Sequence, residues 1–131
     1  MVVCLSIVAV IRFYYQQEEN ISSKETKPVD IGEIRSFCRE QKIRWKAHAL
    51  ERMIMRGIAK ADVLYCINCG KIIEDYPEAR AFPSCLIFGV DLENRVLHVV
   101  AGIADDMVHI ITVYYPDEEH FESDLITRKK R

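Results

Sequence analysis

The chain has 131 residues, half of them apolar, which fits one domain with a sizeable core and argues against two. With 29% charged and 9% aromatic residues, disordered, collagen-like and disulfide-scaffold readings are excluded. The net charge of −2 hides an asymmetry: residues 31–60 carry eight basic and three acidic side chains, and residues 61–127 three basic and thirteen acidic, which implies one localised anion-facing surface.

From the N-terminus, Met1 to Ile11 is an apolar run broken only by Ser6. It is too short to span a bilayer as a helix and lacks the basic start and small-residue cleavage site of a signal peptide. It reads as an extra strand or helix packed on the domain or on a partner, with a membrane anchor extended through Phe13, Tyr14 and Tyr15 as the minority alternative. Residues 16–29 are polar and without period, a linker. The expected organisation is therefore a 1–29 extension followed by a 30–131 domain.

Asp30 with Glu33 three residues later predicts a capped helix ending near Gln41, with Ile31, Ile34, Phe37 and Cys38 at helical spacing. A second helix is predicted over Lys46 to Arg56. Ala47, Ala49, Leu50, Met53 and Ile54 occupy one arc, and His48, Glu51, Arg52, Met55 and Arg56 the other. Gly57 fits its C-terminal cap. A third helix runs from Lys60 to Cys69, stopped by Gly70.

The pattern then turns to period two. Strands are predicted over Lys71 to Tyr76, Ser84 to Val90, Val96 to Ile103 and Met107 to Tyr115, with Pro77 and Pro83 bracketing a loop. A two-residue turn at Asp105-Asp106 sets Ala104 opposite Met107 and hence His98 opposite Val113. His98, His109 and Tyr115 then share one face, while Leu97, Val99, Ala101, Ile103, Val108, Ile110, Thr112 and Tyr114 form the core-facing side. Pro116-Asp117 opens a last helical turn through Leu125 before a basic tail. The expected class is α+β: two to three helices on one face of a four-stranded antiparallel sheet, with a short C-terminal helix.

Five cysteines, odd in number and among apolar neighbours, favour a reducing cytoplasm over a disulfide framework. Cys66-Ile67-Asn68-Cys69 has no second ligand pair for zinc and sits late on a helix, away from an N-terminus that would activate a thiol. There is no phosphate-binding glycine loop and no nucleophile elbow, so neither metal nor cofactor is expected. Trp45 reads as a partly buried anchor, with base stacking as the alternative.

The sharpest local feature is His48, Arg52 and Arg56 at i, i+4 and i+8, one stripe carrying an imidazole and two guanidiniums. A neutral-pH base and two bidentate phosphate ligands are the means of cleaving RNA without metal. The competing reading is a solvated face with Glu51 and Glu40 pairing the arginines. His98 and His109 in turn line a cleft or are satisfied by cross-strand partners.

Ile43 to Ile58, Gly70 to Pro77, Leu97 to Val100 and Ile111 to Asp117 together resemble domain-of-unknown-function family 4258, over roughly Asp30 to Arg131. That family is similar to the RelE/ParE/BrnT toxins of toxin-antitoxin pairs, small α+β domains whose members often sit beside a zinc-finger antitoxin. The matching motif positions are His48, Arg52, Arg56, Gly57, His98, Tyr114, Pro116 and Asp117. The resemblance implies a toxin-like, metal-independent endoribonuclease. In it His48 and His98 serve as acid and base, Arg52 and Arg56 hold phosphate, and Tyr114 positions the substrate. RNA and a cognate antitoxin-like protein are the partners implied, with a homo-oligomer left open and a membrane not expected. The rival is a non-catalytic interaction module whose basic helix binds an acidic partner segment.

Overall fold

A computed structural model describes residues 27–130; the expectations for residues 1–26 lie outside the described residues. The elements in chain order are α1 (Ile31–Arg39), β1 (Ile43–Trp45), α2 (Ala47–Arg56), α3 (Lys60–Cys69), β2 (Lys71–Tyr76), β3 (Ser84–Val90), β4 (Val96–Ala104) and β5 (Met107–Tyr114). The helices form where caps and apolar period agree. Asp30 accepts the Glu33 N–H at 3.1 Å to open α1, and Gly57 closes α2 at φ 67°, in the left-handed region that favours glycine. At α3, Asp62 takes the place of a side-chain cap at Ala59 by accepting the Ala59 N–H at 3.0 Å. Gly70 stops α3 in an extended conformation. Its need for glycine is closeness, since a Cβ there would lie 2.4 Å from the Phe88 carbonyl oxygen.

Among the described residues five strands, not four, make the sheet, in the order β1-β5-β4-β3-β2, and it is mixed because β1 runs parallel to β5. The fifth strand arises from Ile43-Arg44-Trp45, where Gln41 at φ 60° reverses the chain after α1. Ile43 and Trp45 then drop into the core beside β5. Its partner lies more than sixty residues away. Neither a turn signal nor a long alternating run marks it.

The β4–β5 hairpin starts with the expected register, Ala104 opposite Met107, and then shifts between Val100 and Ala101. Ala101 faces Ile110 and Val100 faces Thr112, so Ile111 is an inserted residue, a β-bulge. One extra residue inverts the alternation beyond it. His98 therefore faces Tyr114, not Val113, and Tyr114 leaves the helix side while Val113 and Tyr115 join it.

Two cores result. The helices cover one face through Ile34, Ala49, Met53, Val63, Cys66 and Ile67, packed on Ile87, Leu97, Val99 and Ile110. The opposite face holds Leu86, Val100, Ile111, Tyr114 and Phe121. Phe121 belongs to the C-terminal segment, which has no helix. Asp117 accepts the N–H groups of Glu119 and His120, and Asp124 those of Ile126 and Thr127, so short polar side chains capture the backbone into turns. The basic tail is tied down as well: Arg128 makes a two-pronged pair with Glu74, at 2.7 and 3.0 Å, and lies over the Phe121 ring. Among the described residues no helix is long and apolar enough to cross a membrane.

Candidate functional site

On α2, Ala49 and Met53 are buried with Leu50 beside them. Ile54 lies about 100° around the helix from Met53 and falls outside that stripe. It is 82% exposed and Met55 77%, so Ile54 is not the inward residue its apolar character predicts. His48 is exposed, and Arg52 and Arg56 are half-buried. No described residue forms an ion pair with either arginine; Glu40 pairs with Lys42 at 3.3 Å instead. Burial, and then Arg52, push the Arg56 guanidinium below its ordinary range. Its Nη1 is enclosed with no hydrogen-bond partner. Gly57 ends the helix directly after it, so Arg56 also sits at the negative end of the helix dipole.

His98 and Tyr114 meet elsewhere. The Tyr114 hydroxyl is 2.9 Å from His98 Nδ1, and Nε2 is 2.8 Å from the Leu125 carbonyl oxygen. A carbonyl only accepts, so Nε2 carries the proton and Nδ1 accepts from tyrosine. The ring is fully buried, edge-on to Phe88, Tyr114 and Phe121. Burial pushes it down to about 4, against the pull of the Leu125 carbonyl and Glu74, with Arg128 adding to the depression. At neutral pH it is uncharged and both nitrogens are engaged.

The five candidate residues thus fall into two groups with the sheet between them. His48, Arg52 and Arg56 stand on the helix layer, and His98 and Tyr114 lie under the C-terminal segment. The stripe of α2 acquires no second histidine from the sheet. Trp45 is the anchor its position suggests: half-buried against the helix-side core, with the Lys60 ammonium 5.2 Å from its ring centre.

Three of the thiols, Cys38, Cys66 and Cys85, are held in the neutral form. Cys66 Sγ donates to the Leu97 carbonyl at 3.4 Å, and burial first, then Cys69 and Asp91, raise it to about 12. Burial likewise raises Cys38 to about 11 and Cys85 to about 12. A shallow cavity of about 290 Å³ beside Cys69 is lined by Gly70, Lys71, Phe88, Gly89 and Val90. Asp117, Glu119 and His120 bring ligand atoms within 4.8 Å of one another, but Asp117 Oδ1 already serves two backbone N–H groups and the His120 ring.

Sequence reasoning missed three groupings. The Asp91 carboxylate accepts from Glu93, Arg95 and the Tyr115 hydroxyl. Burial would raise it, but these bonds hold it below the usual carboxylate range. The Glu74–Arg128 pair joins residues 54 apart, with Tyr76 also donating to Glu74. The third is His109, whose register neighbour across β1 is Arg44. An aspartate opening a five-residue polar loop is a legible signal for the first; the other two depend on strand order.

Residues 45–115, more than half of the chain, match the family model described as Domain of unknown function (DUF4258). No curated protein and no solved structure matches the chain.

Proposed function

We propose that this chain, which belongs to the DUF4258 family, is a non-catalytic interaction module whose α2 face binds an acidic partner segment. The observation that carries the reading is the division of the site residues by the sheet: the α2 stripe has cations and one exposed imidazole, and neither His98 nor Tyr114 joins it. What α2 presents is a mixed surface, with bare Met55 one turn on from Arg52 and beside the His48, Arg52 and Arg56 stripe, while exposed Ile54 lies on the other flank of the helix. An amphipathic acidic helix suits it, covering Met55 and placing carboxylates against the guanidiniums. Arg56 Nη1, enclosed without an acceptor, is the natural receiver of one carboxylate. The cytoplasm is the compartment this reading takes, in keeping with free Cys38, Cys66, Cys69 and Cys85.

The test is calorimetric titration with a designed amphipathic helical peptide bearing glutamates along one flank of a leucine stripe. Micromolar-range binding by the wild type, weakened about tenfold or more by Arg52→Ala and by Met55→Asp, supports the module. No binding, or binding indifferent to both substitutions, overturns it.

A second reading keeps the toxin-like, metal-independent endoribonuclease and the kinship with RelE/ParE/BrnT toxins, and what favours it is that His48 stands exposed one turn from Arg52, which has no ion pair among the described residues. In that reading His48 acts as base with Arg52 and Arg56 on the phosphate, and His98 and Tyr114 become supports of the sheet. It requires RNA cleavage that His48→Ala removes.

A further inference from the structure

We propose that Arg44, Lys46 and His109 form a binding site for a phosphate group that carries a proton or a neighbouring hydroxyl, at the β1 edge and apart from the α2 face. Alternation along β1 places it. Ile43 and Trp45 pack into the helix-side core, so Arg44 between them projects to the opposite face, and the parallel register sets it beside His109. Lys46 follows directly, held against β5 by its N–H bond to the Ile110 carbonyl at 3.2 Å. Arg44 is exposed, and neither cation forms an ion pair with a described residue.

His109 supplies the second, independent observation. It is only 6% exposed, and its Nε2 lies 3.1 Å from the Ala104 carbonyl oxygen, which fixes the proton on Nε2 and leaves a lone pair on Nδ1. That Nδ1 is enclosed and has no hydrogen-bond partner. An enclosed acceptor without a donor forfeits the whole value of a hydrogen bond, which a ligand O–H would restore. Phe82 forms the wall: its ring lies 4.8 Å from the imidazole, in space kept open by Gly102, where a Cβ would come within 2.6 Å of it. Gly102 is the strand partner of His109. The imidazole's charged form is disfavoured, by burial first and then by Lys46 and Arg44, with Asp105 the acid that opposes them. Two cations beside a neutral ring acceptor suit an anion that also donates: its bare oxygens meet the guanidinium and ammonium, and its O–H meets Nδ1. Sulfate offers the same charge and shape without the proton.

Imidazole nitrogen shifts in the nitrogen-15-labelled full chain, followed by long-range NMR near pH 6.5, test this. The probes are inorganic phosphate, sulfate and uridine 3′-monophosphate. Phosphate should move His109 saturably in the millimolar range, sulfate should bind about tenfold more weakly, and exposed His48 should stay put. Arg44→Gln, on the surface and outside both cores, should weaken phosphate about fivefold or more with the rest of the spectrum unchanged. Tighter binding of the nucleotide than of phosphate supports a nucleotide ligand for the site, and equal binding supports free phosphate. Absence of a saturable His109 response, equal response to sulfate, or indifference to Arg44→Gln overturns the site.

Discussion

Two histidines of similar sequence surroundings have opposite fates, and the difference lies in what each nitrogen touches. His98 spends both nitrogens on Tyr114 and Leu125 in the dry space under Phe121. Its folded pKa of about 4 lies below the unfolded 6.5, so the neutral form is favoured by folding. The stability it contributes is complete above about pH 6.5 and is lost as pH falls from there through 4. The shift corresponds to about 3 kcal/mol. Urea unfolding of the wild type at pH 7 and pH 4 should show a loss of that order, with His109, also depressed, adding in the same direction. His98→Ala should cost about 3 kcal/mol at pH 7, since it empties buried volume and removes the donor to the Leu125 carbonyl, and should flatten the dependence over that interval. Peptide binding at α2 should be untouched. A variant with unchanged pH dependence would remove His98 as the cause.

At the scale of elements, what was legible follows from where the information sits. The helices carried local signals: Asp30 with Glu33, the apolar period, and Gly57 where a left-handed residue is required. Gly57→Ala should cost about 1 kcal/mol in thermal or chemical unfolding, because only backbone conformation opposes it and no atom lies within 4 Å of a Cβ there. Gly70→Ala should cost more, about 2 kcal/mol or above, since the obstacle is the Phe88 carbonyl of a packed strand. The reverse order would contradict the two reasons given for these glycines. Ile111 was not legible as a bulge: it is an apolar β-former among apolar β-formers, without the glycine that often marks an insertion. That single residue exchanged the faces of Val113 and Tyr114 and so put Tyr114 beside His98. β1 was missed because three residues carry little alternation and their parallel partner is distant. The C-terminal segment read as a helical turn opened by Pro116-Asp117, and Asp117 and Asp124 turned it into side-chain-capped turns.

The described residues form a sheet faced by helices on one side and strapped by the C-terminal segment on the other. The strap explains the fate of part of the charge asymmetry. Arg128, read as part of a basic tail, is paired with Glu74, so one cation is withdrawn from that tail while Lys129 and Lys130 stay exposed. Arg128→Ala should cost about 2 kcal/mol by leaving Glu74 unpaired in a half-buried place, and hydrogen exchange should rise first at Phe121 and its neighbours. Binding of an acidic peptide to α2 should weaken as salt rises from about 50 to 500 mM, because the guanidinium contacts are near the surface.

The central claim, that the α2 face recognises and does not cleave, is tested most directly by incubating a broad panel of end-labelled RNAs with the full chain and its His48→Ala and Arg52→Ala variants. Intact RNA is expected in all three lanes beside a wild type that binds the acidic helical peptide. Cleavage by the wild type that His48→Ala abolishes would contradict it.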